Sequence, residues 1–303
     1  MHSPDRRPVS WAVISADMNP DYIVYLPITA ACWKKLGYEC LVILVGTPQQ
    51  WNRSPSHRVV LESLVPWAGK IVWMPEFEGH KTHVVSQVSR AFAAGCSLPA
   101  DDYLLTSDAD MWPLDRAYFH KHDASRPFHV WYSNAYEVED GVQKYPMCYL
   151  GGKVKVWREI MGLGEDDAIG RLQDELDRGL GRGASGMTAW CYDERLFGIR
   201  FREWGGPAKS HMMIRSMREQ GRIDRIKWKF SGSIAGKVDA HLLRLGEGFE
   251  NWRKLRALAA VVLPEHIGWI DEFWRRFVAT IPGAQYAERR SWFERLRWPR
   301  RVA

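Results

Sequence analysis

The first part of the chain alternates short apolar runs with amphipathic stretches, and this alternation constrains the fold more than any other feature. Val9–Ala16 (VSWAVISA), Glu39–Gly46 (ECLVILVG), Lys70–Met74 (KIVWM) and Tyr103–Ser107 (YLLTS) read as buried strands. Between them, Asp21–Leu36, His57–Trp67 and Thr82–Ala94 carry helical spacing. Strands separated by helices of this length pair in parallel through crossover connections. Ligands on such sheets gather at the carboxyl ends of the strands. Asp17, Gly46 and Asp108 fall at such ends.

The second half is less regular. Phe128–Ser133 and Tyr145–Leu150 read as strands, Lys153–Met161 and Glu165–Leu180 as helices, and Gly179–Gly186 (GLGRGASG) as a flexible turn leading into Met187–Phe197. Ile223–Lys229 has strand character, and the chain is helical and basic from Glu250 onward. The expected organisation is one α/β domain over residues 1–249 and a helical extension over 250–303, packed on that domain or on a membrane surface.

Charge and cysteine content narrow the function classes. Lys and Arg number 42 against 36 Asp and Glu, a net +6 that is too small and too dispersed for a nucleic-acid binder. That excess suits an anionic small substrate or an anionic membrane face. Cys32, Cys40, Cys96, Cys148 and Cys191 lack metal-like spacing and read as reduced, buried thiols. Met1–Pro8 has no apolar core of a signal peptide, and no apolar run is long enough to span a bilayer, so the expected location is cytoplasmic. In the tail, Tyr286–Trp298 sets Tyr286, Trp292, Phe293 and Leu296 among Arg289, Arg290, Arg295 and Arg297. Such a helix can rest on the inner membrane face or pack on the domain.

Asp108-Ala-Asp110 leaves the run Tyr103–Ser107, and Met-Trp-Pro-Leu follows it. Two carboxylates at i and i+2 at a strand end can jointly hold Mn²⁺ or Mg²⁺ and leave positions open for phosphate oxygens. Such a metal neutralises a diphosphate leaving group. The alternative is a solvated turn. Further on, Asp193 and Glu194 lie in an apolar and aromatic segment, WCYDERLF. Those surroundings raise a carboxyl pKa and poise it as a general base; the alternative is an acid pair favoured by a helix N-terminus.

The stretch Gln87–Leu114, QVSRAFAAGCSLPADDYLLTSDADMWPL, resembles the region around the DxD motif of GT-A glycosyltransferases, and VISADMNPDY resembles their first strand and loop. The resemblance implies a GT-A, Rossmann-like mixed sheet flanked by helices, binding a nucleotide-diphosphate sugar donor. It implies that Asp17 or Asn19 lies near the base or ribose, Arg90 near the nucleotide, and Ser15 within the donor-binding region. On this resemblance the late His241 is a third metal ligand beside Asp108 and Asp110, the alternative being a hydrogen-bonded structural histidine. As a ligand its ring can be oriented by Asp239, and Lys237 and Arg244 either neutralise the diphosphate or are solvated. By the same resemblance Asp193, or else Glu194, deprotonates a glycan or lipid-linked glycan hydroxyl, with inversion.

Sixteen Trp is a large number for a chain of this size. Of the aromatic residues near the motif (Trp112, Trp131, Tyr132, Tyr136 and Tyr149), Trp131 and Tyr132 are the expected acceptor platform, because aromatic faces stack on sugar rings. Gly151-Gly152 lets backbone approach the donor sugar. Two other readings compete. A sugar-nucleotide nucleotidyltransferase shares this type of sheet, but it needs a Gly-rich phosphate loop where this chain has Asp17–Asp21 without glycine. A non-catalytic carbohydrate-binding protein would not need Asp108 and Asp110.

Overall fold

The computed structural model describes residues 6–281 apart from 121, 122, 124, 215–220 and 246–248; the segment Tyr286–Trp298 lies outside the described residues. Its strands in chain order are β1 (Ser10–Ala16), β2 (Glu39–Val45), β3 (Ala68–Met74), β4 (Tyr103–Thr106), β5 (Met111–Pro113), β6 (Phe128–Trp131), β7 (Val138–Glu139), β8 (Val142–Gln143), β9 (Leu150–Lys153), β10 (His211–Met213), β11 (Arg222–Ile223) and β12 (Asp239–His241).

Among the described residues the main sheet has the order β10-β6-β9-β4-β1-β2-β3. The β1–β2, β2–β3 and β1–β4 pairs are parallel, as the crossover pattern predicts. β9 inserts antiparallel between β4 and β6, which makes the sheet mixed. Successive residues of a strand point to opposite faces, and the core divides accordingly. Ala12, Ile14, Cys40, Val42, Leu44 and Leu105 join one apolar cluster. Trp11, Val13, Leu41, Ile43, Val45 and Leu104 join the other. Both faces are covered, which is why these strands read as continuous apolar runs. Helices Leu26–Lys35, Pro55–Leu64, Phe249–Val262 and Ile267–Ala279 contribute to the first cluster. Helices Thr82–Ser89, Val154–Met161, Ala168–Glu175 and Tyr192–Glu203 contribute to the second. The expected architecture of a mixed sheet flanked by helices is the one observed.

Three expectations need correction. The helix read over Asp21–Leu36 is broken into Pro20–Ile23 and Leu26–Lys35, because Pro27 has no N–H to donate and starts a new first turn. The strand read over Tyr145–Leu150 lies instead at Leu150–Lys153: Pro146 interrupts the ladder and Tyr149 sits at φ +78°. Of Ile223–Lys229, only Ile223 is in a strand.

Gly151 and Gly152 also serve a different end. Both lie within β9, where a Cβ on Gly151 would run into the Tyr103 phenol and Trp131, and one on Gly152 would come within 2.5 Å of Phe128. They let large rings pack against the sheet, and they do not line the cleft.

Candidate active site

The sheet order 3-2-1-4 means that successive strands run outward from β1 and the chain then returns to place β4 on its other side. Ligand crevices form outside the carboxyl ends of strands where the order reverses. A cleft of about 680 Å³ lies there, lined by Ser15, Asp17 and Asn19 after β1 and by Asp108 and Asp110 after β4.

The Asp108–Asp110 segment is pinned from three sides. The Ser107 N–H donates to the Val13 carbonyl, the Thr29 hydroxyl to the Ala109 carbonyl, and the Leu242 N–H to the Asp110 carbonyl. A second, small sheet of order β11-β12-β5 supplies the last of these. Its antiparallel register pairs His241 with Met111, so a residue far along the chain reaches the motif.

Arg90 lies at the end of helix Thr82–Ser89 with its side chain 7% exposed. Its guanidinium donates to an Asp108 oxygen, to Asp193 Oδ2 at 3.0 Å and to the Ser107 carbonyl at 3.2 Å. Arg90 therefore ties the end of β4 to the first turn of helix Tyr192–Glu203. Asp193 is buried, and its second oxygen accepts the Glu194 N–H at 2.9 Å.

Glu194 also lines the cleft, with Oε1 accepting the Tyr136 hydroxyl at 2.7 Å. Burial, followed by the neighbouring charges of Asp193 and Asp108, pushes the Glu194 carboxyl up to about 8; Tyr136 and Arg90 pull the other way. Burial likewise raises Asp193 despite Arg90. Of the two acids, Glu194 is the one not committed to an arginine, so the geometry favours it over Asp193 as a proton acceptor.

Asp110 is almost fully buried, with Arg225 Nη1 at 2.9 Å, His241 Nε2 at 3.7 Å and Arg244 Nη1 at 3.8 Å from Oδ2. Burial pushes its carboxyl up, but His241, Arg225 and Arg244 outweigh that and hold it below the ordinary value. The other nitrogen of His241 faces Asp224 Oδ2 at 3.7 Å. The ring is therefore flanked by Asp224, and Asp239 instead takes both forks of Arg222, at 3.0 and 2.8 Å.

Two carboxylates and an imidazole on one wall form a donor set of the kind hard divalent cations accept. Among the described residues, no group of three His, Cys, Asp or Glu is already arranged to hold a metal. A guanidinium stands as the cation on each carboxylate instead, Arg90 on Asp108 and Arg225 on Asp110. The residue types are of the kind Mn²⁺ or Mg²⁺ accepts, and Arg225 covers the Asp110 oxygen that lies nearest His241.

The remaining expected residues divide clearly. The Asp17 carboxylate accepts the Thr82 hydroxyl at 2.9 Å and the Asn19 N–H at 3.2 Å, which fixes the loop after β1. Ser15 donates to the Ser86 carbonyl at 2.8 Å. Arg244 stacks over the Tyr22 ring at 4.3 Å and donates to its hydroxyl at 2.6 Å. Tyr132 lines the cleft, held at φ +72°. Trp131 does not: it is fully buried in the core, with its indole N–H directed at the Tyr118 carbonyl. Lys237 precedes β12 and lies off the cleft.

Sequence reasoning missed Arg222, Arg225, Tyr22, His83 and Trp190, all of which line the cleft. Trp190 is 44% exposed and lies four residues before Glu194. Its nearness in sequence to the acid pair was the one available signal: Trp190 ends the helix Gly186–Trp190, and the two acids lie in the first turn of the helix Tyr192–Glu203 that follows.

No protein-family model matches the chain, and no curated protein matches it significantly. Solved structures do resemble it in shape. One is the galactosyltransferase LgtC in complex with donor and acceptor sugar analogs (12% identity, TM-score 0.45, 83% of this chain and 96% of that one). Another is the glycosyltransferase GlyE of Streptococcus pneumoniae TIGR4 (13%, 0.43, 86% and 64%). A third is 4-diphosphocytidyl-2C-methyl-D-erythritol synthase (11%, 0.35, 55% and 86%).

Proposed function

We propose that this chain is a glycosyltransferase that takes a sugar from a nucleotide-diphosphate donor and places it on a hydroxyl of a glycan or lipid-linked glycan. One observation carries the reading: Asp108 and Asp110 share a single cleft with Glu194, an acid whose proton is held up to about 8. Asp17, Asn19 and Tyr22, at the β1 end, face the nucleoside. Asp108, Asp110 and His241 would hold Mn²⁺ or Mg²⁺, which when bound neutralises the diphosphate. Arg90 keeps Asp108 and Asp193 in place from beneath.

The acceptor enters over Tyr132, Tyr136 and Trp190, whose rings offer apolar faces to a sugar. The Glu194 carboxylate takes the acceptor hydroxyl proton while that oxygen bonds to the anomeric carbon. The bond from this carbon to the diphosphate oxygen breaks, and its electron pair leaves with the nucleotide. Attack from the face opposite the leaving group inverts the centre.

The nucleotidyltransferase reading differs in what it releases. Incubation with UDP-, GDP- and dTDP-sugars, acceptor and Mn²⁺, followed by phosphorus NMR, should show nucleoside diphosphate appearing. Release of pyrophosphate from a nucleoside triphosphate and a sugar phosphate would favour the other class. Binding of glycan with no nucleotide consumed would leave a binding protein.

A further inference from the structure

The arginines around the cleft are held unequally. Arg90 is buried and shared between Asp108 and Asp193. Arg222 makes a two-pronged pair with fully buried Asp239. Arg225 lies two residues beyond β11, its side chain is 27% exposed, and among the described residues Asp110 is its one partner. A single contact at a partly exposed guanidinium is readily exchanged. Asp110 keeps other cationic company when that contact opens, because Arg244 Nη1 lies 3.8 Å away, buried and without a hydrogen-bond partner. The oxygen that Arg225 covers is the one nearest His241 Nε2, so a metal and this guanidinium compete for the same place.

We propose that Arg225 is an exchangeable cation. It neutralises Asp110 when the cleft is empty, yields that oxygen to the divalent metal, and then pairs with the diphosphate oxygens of the donor. The inference rests on the donor-site reading above. A planar fork of N–H donors suits phosphate oxygens, and Arg225 already lines the cleft that would receive them. Metal and guanidinium are then antagonists before the nucleotide arrives and allies afterwards. This predicts effects of opposite sign from one substitution.

The test uses the full chain with Arg225→Gln and Arg225→Lys, titrating Mn²⁺ by electron paramagnetic resonance with and without UDP or GDP. Without nucleotide, Arg225→Gln should bind Mn²⁺ tighter than wild type by about fivefold or more. At saturating Mn²⁺ the same variant should bind the nucleoside diphosphate about tenfold more weakly, and Arg225→Lys should recover part of that loss. Nucleotide-free Mn²⁺ affinity that is unchanged or weaker in Arg225→Gln overturns the exchange while leaving the metal site standing. Nucleotide affinity indifferent to both substitutions also overturns it. If no variant binds Mn²⁺ with or without nucleotide, the metal assignment and the exchange fall together.

Discussion

Arg90 has almost no water to share its charge with, and its donors are divided between two carboxylates from different elements. Removing one partner of a buried ion pair leaves the other uncompensated, at about 3–5 kcal/mol. Arg90→Met should therefore lower unfolding stability by about that amount, read from denaturant midpoints, because Asp193 would be left buried without its cation. Glu194 gives a pH signature instead. As the proposed base it would work only when deprotonated, so kcat/KM should climb with pH toward a plateau above about 8, and Glu194→Gln should abolish that limb. Stability runs the opposite way. The folded carboxyl keeps its proton to about 8 while the unfolded one loses it near 4.5, so the contribution is complete below 4.5 and lost as pH rises through about 8. Glu194→Gln, which imitates the protonated form, should raise Tm more at pH 9 than at pH 5. An equal Tm shift at both pH values would contradict the account.

At the scale of elements, the first four parallel-type strands were legible because their apolar runs are continuous and bounded by turn residues, and Asp108 fell at a strand end as read. The antiparallel insertion of β9 was not legible. Its four residues include Gly151 and Gly152, which carry no apolar signal and whose place is decided by the rings of Tyr103, Trp131 and Phe128 across the sheet. Arg225 escaped for a related reason: its approach to Asp110 depends on β11, β12 and β5 pairing, three strands too short to show a period. Trp131 was misread because an aromatic near a motif in sequence points inward or outward according to strand phase. Close packing also yields a prediction. A Cβ on Gly198, in helix Tyr192–Glu203, would run into the Gln143 carbonyl of β8, which is backbone and cannot rotate away. Gly198→Ala should destabilise by about 1–3 kcal/mol and, by displacing that helix, weaken activity through Asp193 and Glu194.

Across the whole molecule, helical layers cover both faces of the sheet while the cleft opens at one end of it, where loops after β1 and β4 meet the small sheet. No helix among the described residues is long and apolar enough to cross a membrane. Helices Phe249–Val262 and Ile267–Ala279 share the apolar cluster of the first sheet face through Leu255, Leu258, Ile270 and Trp274, so their apolar sides are already occupied. A ligand bound only by the folded form stabilises it by mass action, about 2.7 kcal/mol at a hundredfold excess over Kd. The right nucleotide sugar should therefore announce itself as a Tm rise that needs Mn²⁺. Calorimetric titration of that nucleotide into wild type and Asp110→Asn, each with and without Mn²⁺, tests the proposed metal-diphosphate site most directly. The account predicts metal-dependent binding in wild type and its loss in Asp110→Asn. Binding of equal strength in both proteins, indifferent to the metal, would contradict it.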